Sequence, residues 1–575
     1  MRPCLVSGPS PRSPVSSMLR PTAPLLVLCL GVLLTVPGAL SAQASPLVPL
    51  GDPGYDDLDA LLARGMGGEV ILTQRPYSRM TFARVARHAR QVLEAGPSSD
   101  APAPGNRLRE ALERLEERFD RELGILCGEA SCPEPEPYAQ LRSIATDLTL
   151  ADSPDRTVPT GYSSRGSLID AAVNPLLQRN GGRRLGDGWT LGAEAQVDLG
   201  MGRYVSGQVR PRAGVLEGAE GDTDDQVTLL AGYLRTVVGK VALDLGRNQV
   251  THGFSQELGP ALSSNVRGLT MVRLYNERPG RLPWILSGLG PVAFGATVVG
   301  MGENRDTPGS VASLLEASIR PHPNLELGAL FMSHQAGEGA PEARWWERVR
   351  DAIPFLLSRR GLAIDSPEPP ISDKVFGLEA HLRVPDEGLE FYAELASTDD
   401  HNLFEAPKQA FWHEAVWTWG TRITGVGAEE RFDLWAEATH SGVRPYTHHQ
   451  FTSGLTVDGR ILGSPLGPLA NSVRGGVDWT GADHRISWQV AREQYEPDRW
   501  ANVGFDGSSS TWNWERVEDN PDEVRLRSTV RWSRAPTLTG LRTELRVGVE
   551  RVTRFDFGEA DRTNALAQLR LEYRW

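Results

Sequence analysis

The spacing of apolar residues along the chain changes from a helical to an extended pattern. In residues 81–93 and 106–126, apolar side chains recur every three or four positions, which places them on one face of a helix. From about residue 146 to the C-terminus, apolar and polar residues alternate, as they do in β-strands. We therefore expect a helical region over residues 45–145 and β-structure over residues 146–575.

The alternating region is typical of a transmembrane antiparallel β-barrel. In residues 567–575 one face carries only Ala, Leu, Tyr and Trp, and the other carries only Gln, Arg and Glu. An apolar face that ends in aromatic residues suits lipid, and a face of mixed charge suits a wide, wet lumen. A closed sheet is the only sheet whose backbone hydrogen bonds are all satisfied within a bilayer. A secreted soluble β-propeller or β-sandwich is the alternative.

The length of the alternating region sets the number of strands. At roughly 22 to 25 residues for each strand with its turn or loop, the region holds about 16–18 strands. The expected fold is thus an all-β transmembrane antiparallel β-barrel of about 16–18 strands with a small N-terminal α-helical periplasmic region. We expect the helices to dock at the periplasmic mouth. A second helical pattern, over residues 342–357, predicts either a helix on the barrel rim or a lid over the lumen.

The N-terminus has the pattern of a secretory signal peptide. Arg20 precedes a short apolar stretch at residues 25–36, and Ala42-Gln43-Ala44 is a small-residue cleavage site. We expect residues 1–44 to be removed, which predicts export and, with the barrel, location in the bacterial outer membrane. Met18 is an alternative start of translation.

Composition excludes several other classes of protein. The net charge of −13 argues against a nucleic-acid binder, because nucleic acid is held by clustered Lys and Arg. With 40% hydrophobic residues the chain is too apolar for disorder, and after the N-terminus it has no apolar run long enough for a spanning helix. Of the cysteines, Cys127 and Cys132 lie beyond the signal. They would most simply form a disulfide in an oxidising compartment, since no further metal ligands stand out nearby.

Short motifs spread over most of the mature chain resemble those of the capsule-assembly outer-membrane barrel family (Wzi type). The motifs are Arg75-Pro76-Tyr77-Ser78-Arg79, Gly246-Arg247-Asn248 with His252-Gly253, Leu262-Ser263-Ser264-Asn265, residues 291–294 and 321–328, Glu390 to Leu395 with Asp399-Asp400, and Tyr446-Thr447-His448-His449 followed by Gly454, Gly459-Arg460, Gly463 and Gly467.

This resemblance implies a wide barrel of about 18 strands with a small helical bundle on the periplasmic side. It also implies a lectin-like function, the attachment of capsular or other exported polysaccharide to the cell surface, with no enzymatic activity and no cofactor. The expected partners are the polysaccharide, outer-membrane lipid, and the barrel-assembly machinery, which would recognise the C-terminal strand through Trp575. We expect a monomer that binds no nucleic acid.

Seven residues of the middle motifs are candidates for contact with a glycan. Flat aromatic side chains suit sugar rings, and the guanidinium fork of arginine suits the carboxylates of acidic sugars. The candidates are Arg247, His252, Arg267, Tyr446, His448, His449 and Arg460. The alternative is that these Arg and His side chains only neutralise Glu and Asp in the lumen.

Other chemistry has less support in the sequence. Adjacent residues on a strand point to opposite faces, so His448 and His449 are not expected to chelate one metal ion. Glu390 and Glu394 would lie roughly 13 Å apart along a strand, which is too far for the carboxylate pair of a glycosidase. The sequence around Ser263 lacks the Gly-x-Ser-x-Gly elbow of a serine hydrolase. A diffusion porin or sugar channel and an outer-membrane hydrolase are the alternative functions.

Overall fold

The computed structural model describes residues 43–95, 105–126, 135–158, 168, 171–217, 223–255, 257–354, 371–398, 409–503, 513–534 and 540–575. Most of the predicted signal peptide lies outside these residues, and so do Cys127 and Cys132. Signal cleavage and the disulfide therefore stay predictions.

Within the described residues, eighteen antiparallel strands form a closed barrel. Each strand pairs with the next one along the chain, and the first pairs with the last to close the ring. The strands are β1 (Tyr138–Asp152), β2 (Gly188–Met201), β3 (Val205–Glu217), β4 (Thr223–Val238), β5 (Val241–Asn248), β6 (Leu269–Asn276), β7 (Pro291–Gly300), β8 (Val311–His322), β9 (Leu325–Gln335), β10 (Ser372–Val384), β11 (Leu389–Thr398), β12 (Ala415–Val426), β13 (Phe432–Ser441), β14 (Ala470–Thr480), β15 (His484–Tyr495), β16 (Glu523–Arg534), β17 (Gly540–Thr553) and β18 (Arg562–Arg574). The barrel and its strand number confirm the predicted fold class.

Alternation along the strands separates a lipid face from a lumen face. In β18, Leu569 and Tyr573 are exposed on the outside, whereas Asn564 and Glu572 are buried on the inside. The outer face also carries the aromatic residues that a bilayer interface favours: Trp417 and Trp419 of β12 stack with ring centroids 5.5 Å apart.

The two ends of the barrel differ in the length of their connections. Residues 202–204, 239–240 and 323–324 are tight turns at one end, whereas long connections, over positions 336–371 and 442–469, join the strands at the other. In outer-membrane barrels the short turns face the periplasm and the long loops face outward. We use the terms turn end and loop end for these two ends.

The barrel begins earlier than the sequence pattern indicated. β1 starts at Tyr138, inside the region that we predicted to be helical up to residue 145. The register between β1 and β2 shifts at Leu141–Ser143. Such a bulge interrupts the alternation of side chains and so hides the start of the strand in the sequence.

The helical pattern over residues 342–357 corresponds to a short helix on the rim. This helix, Trp345–Asp351, follows β9 in the loop that leads to β10. The Asp351 carboxylate accepts a hydrogen bond from Ser372 and lies 3.7 Å from the Lys374 ammonium, both in β10. These contacts attach the helix to the wall at the loop end, as the rim interpretation predicts.

The N-terminal helices pack around their own apolar core. They are α1 (Gly54–Ala63), α2 (Arg79–Ala95), α3 (Asn106–Arg118) and α4 (Asp120–Ile125). Leu58, Phe82, Leu112 and Phe119 are fully buried, and the rings of Phe82 and Phe119 lie 4.8 Å apart. The helical faces predicted from apolar spacing are the faces that form this core.

None of the helices in the described part of the chain has both the length and the apolar composition needed to cross a membrane.

Ion pairs join this helical bundle to the barrel wall. Both terminal guanidinium nitrogens of Arg107 in α3 donate hydrogen bonds to the Asp433 carboxylate of β13, one of them at 2.6 Å. Arg485 of β15 lies 2.7 Å from Asp56 in α1. Asp433 and Arg485 lie beside the turn end of their strands, so the bundle is docked there, on the periplasmic side.

Asp52, just before α1, lies in the same interface. Its carboxylate accepts a hydrogen bond from the Gly54 N–H at 2.8 Å and lies beside Arg118 and, at 3.5 Å, Arg574 of β18. Burial alone would raise the pKa of Asp52, but the two guanidinium groups outweigh burial and lower that pKa to about 2. The charged carboxylate therefore stabilises the docked bundle.

We predict that Asp52→Asn weakens docking by about 2 kcal/mol near neutral pH, because a pKa lowered in the folded state measures the stabilisation that the charged form supplies. In the wild type this contribution is complete above the unfolded pKa of about 4 and is lost as the pH falls through about 2. Thermal unfolding followed by the helical circular dichroism signal would show the pH dependence in the wild type and its loss in the variant. Glu116→Gln is the control, because its pair with Arg90 is half-exposed and contributes little. Equal pH profiles for wild type and Asp52→Asn would contradict the prediction.

Candidate functional site

Three loops fold into the loop end of the barrel and pack against its wall. They are residues 153–187, 249–268 and 442–469, of which we describe all but 159–167, 169–170 and 256. We call the described part the loop plug. Buried apolar side chains from all three loops, among them Val173, Leu262 and Leu462, form one core with wall residues such as Val299 and Leu330. The loop plug is therefore packed against the inside of the barrel.

Backbone hydrogen bonds connect the three loops of the plug. The Ala172 N–H donates to the Gly459 carbonyl at 3.0 Å, and the Ser263 N–H donates to the Leu462 carbonyl at 3.0 Å. The third loop contains a small hairpin in which Thr456–Val457 pairs with Arg460–Ile461. The polar backbone of these long connections is thus satisfied inside the lumen, as burial requires.

Tyr446 lies at the centre of the loop plug. Its hydroxyl donates to the Pro260 carbonyl at 2.5 Å and accepts from the Ser464 N–H at 2.8 Å, so it joins two of the loops. Gly463 lies against the ring, where an added Cβ would come within 2.6 Å of it. The side chain is 2% exposed. The ring predicted to stack on a sugar is therefore covered by the plug in this structure.

His252 is a second buried cross-link. Its ring lies between two lumenal carboxylates, with Nδ1 3.1 Å from Glu316 of β8 and Nε2 3.0 Å from Glu379 of β10. Its backbone pairs with Gln74, which precedes α2. This predicted glycan contact thus lies deep in the lumen, where the N-terminal segment meets the loop plug.

Three of the predicted arginines come together at the plug around Asp458. Arg267 forms an ion pair with Asp458 and stays 40% exposed. Arg247 interacts electrostatically with both, and Arg460 interacts with both of them, with Asp155 and with Arg184. Arg247 also donates from Nε to the Gly268 carbonyl at 2.8 Å. We call Arg184, Arg247, Arg267, Arg460 and Asp458 the arginine cluster.

The two adjacent histidines form a stacked pair in the third loop. On a strand His448 and His449 would point apart, as we predicted, but in this loop their rings stack with centroids 4.5 Å apart. His448 is buried and His449 is exposed. In the described part of the chain no group of three or more His, Cys, Asp or Glu side chains is placed to hold a metal ion.

A scan against protein families matches residues 160–566 to the capsule assembly protein Wzi family. The chain belongs to this family. The resemblance seen in the short sequence motifs is thereby confirmed, and the location of this Wzi-family barrel is the bacterial outer membrane. No curated protein matches the chain significantly in sequence.

Solved structures resemble the fold of this Wzi-family chain. The Escherichia coli Wzi structure, described as an outer membrane protein involved in group 1 capsule assembly and as a carbohydrate binding β-barrel, matches with a TM-score of 0.62 at 15% identity and covers 92% of this chain and 100% of that one. OccD3 (OpdP) of Pseudomonas aeruginosa has a TM-score of 0.43 at 8% identity, over 77% of this chain and 93% of that one. OprD of Pseudomonas aeruginosa has a TM-score of 0.40 at 12% identity, over 76% and 95%.

Sequence reasoning missed two groups of residues in this Wzi-family barrel. The first group is Arg184 and Asp458 of the arginine cluster. The turn signal Asp458-Gly459 in the sequence was the available evidence for Asp458. Tyr392 of β11 and Trp435 of β13 are half-buried inward-facing aromatic residues. Each lies beside a glycine in the register of the next strand, Gly420 and Gly476 respectively. An aromatic residue paired with glycine across strands is a signal that requires the register, which the sequence does not contain.

We predict that Tyr446→Phe loosens the loop plug without unfolding the barrel. The substitution leaves the Pro260 carbonyl and the Ser464 N–H without their buried partner, which costs about 1–3 kcal/mol. Protease cleavage within residues 442–469 of the detergent-solubilised protein should increase. Tyr573→Phe is the matched control, because that side chain is 44% exposed on the outer face. Identical cleavage of the two variants would show that the Tyr446 hydroxyl does not hold the loops.

Proposed function

We propose that this chain binds capsular or other exported polysaccharide and attaches it at the cell surface, without catalysing a reaction. Membership of the Wzi family supports this function, and the related E. coli barrel is described as carbohydrate binding and as involved in capsule assembly. The family match shows that the chain is related to Wzi proteins, and the geometry of the loop end supports polysaccharide attachment as its role.

The loop plug is the observation that carries the proposal. A diffusion porin needs a continuous aqueous path, whereas the loops of this barrel share one apolar core with the wall. At the other end the helical bundle is docked through buried ion pairs such as Arg107 with Asp433. A barrel with packed protein at both ends suits a rigid, anchored binding surface better than an open channel.

The arginine cluster is the proposed contact for the polysaccharide. Its guanidinium groups outnumber the two carboxylates that act on them, Asp458 and Asp155, and the Arg267 side chain is 40% exposed at the loop end. Guanidinium groups bind carboxylates and phosphates through paired hydrogen bonds. We extend this role to His449, which is an exposed residue of the loop plug. Tyr446, His252 and His448 are buried, so we assign them to the support of the plug.

The remaining expectations for assembly belong to the same proposal. We infer that the protein acts as a monomer surrounded by outer-membrane lipid, and that the barrel-assembly machinery recognises its last strand. Trp575 supports this inference, because it is half-exposed and packs edge-on against Tyr573 with ring centroids 4.8 Å apart at the end of β18. Residues 1–44 would direct export. Cys127 and Cys132, which lie in the sequence between α4 and β1, would form a disulfide with each other.

We predict that the double variant R267Q/R460Q retains less polysaccharide on intact cells, because it removes two guanidinium groups of the arginine cluster. Cell-bound and released polysaccharide would be measured by immunoblot or by uronic acid assay. The matched control is R499Q/R551Q, which removes two exposed arginines elsewhere on the loop end. Heat-modifiable migration in gels would verify that both barrels are folded. Full retention by R267Q/R460Q would contradict the assignment of the arginine cluster.

We predict that the purified barrel gives no steady pore-sized conductance in planar bilayers, because the loop plug and the helical bundle together interrupt the aqueous path through the lumen. Deletion of residues 442–469 should open a conducting state. Deletion of the rim helix, residues 345–351, is the control, since that helix lies outside the loop plug. A steady conductance of the wild-type protein would favour the porin alternative.

A further inference from the structure

Two arginines of the lumen wall lie directly opposite each other on neighbouring strands. Arg531 of β16 and Arg546 of β17 are register partners. Both positions face inward, because Leu526, Val530 and Leu545 on the alternate positions are exposed on the lipid face. Directly opposite residues have Cβ atoms roughly 5 Å apart, and like charges in that arrangement are mutually destabilising.

Other inward-facing arginines on the same two strands form ion pairs with carboxylates, but these two arginines do not. Arg527 lies 2.9 Å from Glu493 and 3.1 Å from Glu550, and Arg542 lies 2.8 Å from Glu544. Among the residues that the structure describes, no carboxylate lies within the 4.0 Å of an ion pair from Arg531 or Arg546. Carboxylates act on them only from farther away.

The pair faces a water-accessible space between the loop plug and the helical bundle. Arg531 is exposed and Arg546 is half-buried although both point into the lumen. The carboxylates that act on Arg531 from a distance are Glu544, Asp56 in α1 of the helical bundle, Asp478, and Glu257 in the loop plug. Ser487 and Gln568, the register neighbours of the two arginines on their other sides, add hydrogen-bonding groups.

The flat aromatic ring of Trp435 lines the lumen near Glu257, one of these carboxylates. The indole of Trp435 lies against Gly476, where an added Cβ would come within 2.7 Å of the ring. Arg474 stacks over that indole at 5.4 Å from the ring centre and pairs with Glu257. Glu257 in turn interacts electrostatically with Arg546. An aromatic surface and the arginine pair thus face the space on either side of Glu257.

We propose that this space is a binding site for an acidic saccharide unit, whose carboxylate or phosphate bridges Arg531 and Arg546. Two guanidinium forks can bind one oxyanion through several charge-assisted hydrogen bonds, and the oxyanion removes the repulsion between them. Trp435 of β13 lies three strands from Arg531 of β16, roughly 14 Å across the sheet. The apolar face of a neighbouring sugar unit packs on the Trp435 ring. The site deepens the proposed function and rests on it, because it specifies an acidic saccharide and places a chain end or short oligosaccharide inside the barrel.

The test measures binding of trigalacturonate to the purified full-length barrel by calorimetry. We expect binding that R531Q/R546Q weakens by roughly tenfold or more, since the variant removes the charge-assisted hydrogen bonds of both guanidinium groups. The matched control is R534Q/R551Q, which removes arginines from the outward faces of the same two strands and should bind as the wild type does. The melting temperature of ligand-free R531Q/R546Q should equal or exceed that of the wild type, because the repulsion is gone.

Inorganic phosphate and neutral maltotriose define the ligand chemistry. Competition by phosphate with trigalacturonate supports an oxyanion site, whereas binding of phosphate alone, without trigalacturonate, overturns the saccharide assignment. Binding of maltotriose that depends on the arginine pair also overturns it. Phenylglyoxal modification of Arg531 and Arg546 in the wild type gives a readout that needs no variant: trigalacturonate should slow it, and unchanged rates would overturn the site.

The outcomes separate this site from the proposed function. Unchanged trigalacturonate affinity in R531Q/R546Q overturns the lumenal site and leaves attachment through the arginine cluster intact. Failure of the wild-type protein to bind the polysaccharide of its own cells overturns the proposed function, whatever happens at the arginine pair.

Discussion

The pairing of β1 with β18 is the contact on which the whole structure depends. A bilayer offers no hydrogen-bond partners to a peptide group, so an open edge in the sheet would leave unpaired N–H and C=O groups in lipid. Pairing from Ser143 with Arg574 to Asp152 with Ala565 removes that edge. The two strands are separated by almost the entire barrel sequence, and each of the other strands must be in register before they can meet.

Closing a ring of eighteen strands creates an interior too wide for wall side chains to fill. Paired charged side chains, as well as bulky ones, occupy this interior. Arg235 lies 3.1 Å from Asp244, and Arg525 lies 3.0 Å from Glu550, all of them buried inside the barrel. Isolated buried charges would be prohibitively costly, whereas paired ones tie neighbouring strands together. The bundle and the loop plug fill what remains at the two ends.

The barrel was predictable from the sequence because its signals are local. Alternation over 567–575 and apolar spacing over 106–126 each reflect one element and one face. The start of β1 at Tyr138 was not predictable, since the bulge at Leu141–Ser143 disturbs the alternation. The positions of Tyr446 and His252 depend on loops folding inward against residues far away in sequence, so their burial was invisible. Three arginines predicted as a group did meet, around an aspartate that the motifs did not single out.

The backbone pairing of Gln74 with His252 has a mechanical meaning. The Gly253 N–H donates to the Thr73 carbonyl at 2.8 Å, so the strand before α2 and the loop after β5 share main-chain hydrogen bonds inside the lumen. A pull on the outer loops would therefore be shared between the barrel wall and the periplasmic helices. Part of the tension would cross the membrane through protein inside the cylinder, which relieves the load on the contact between wall and lipid.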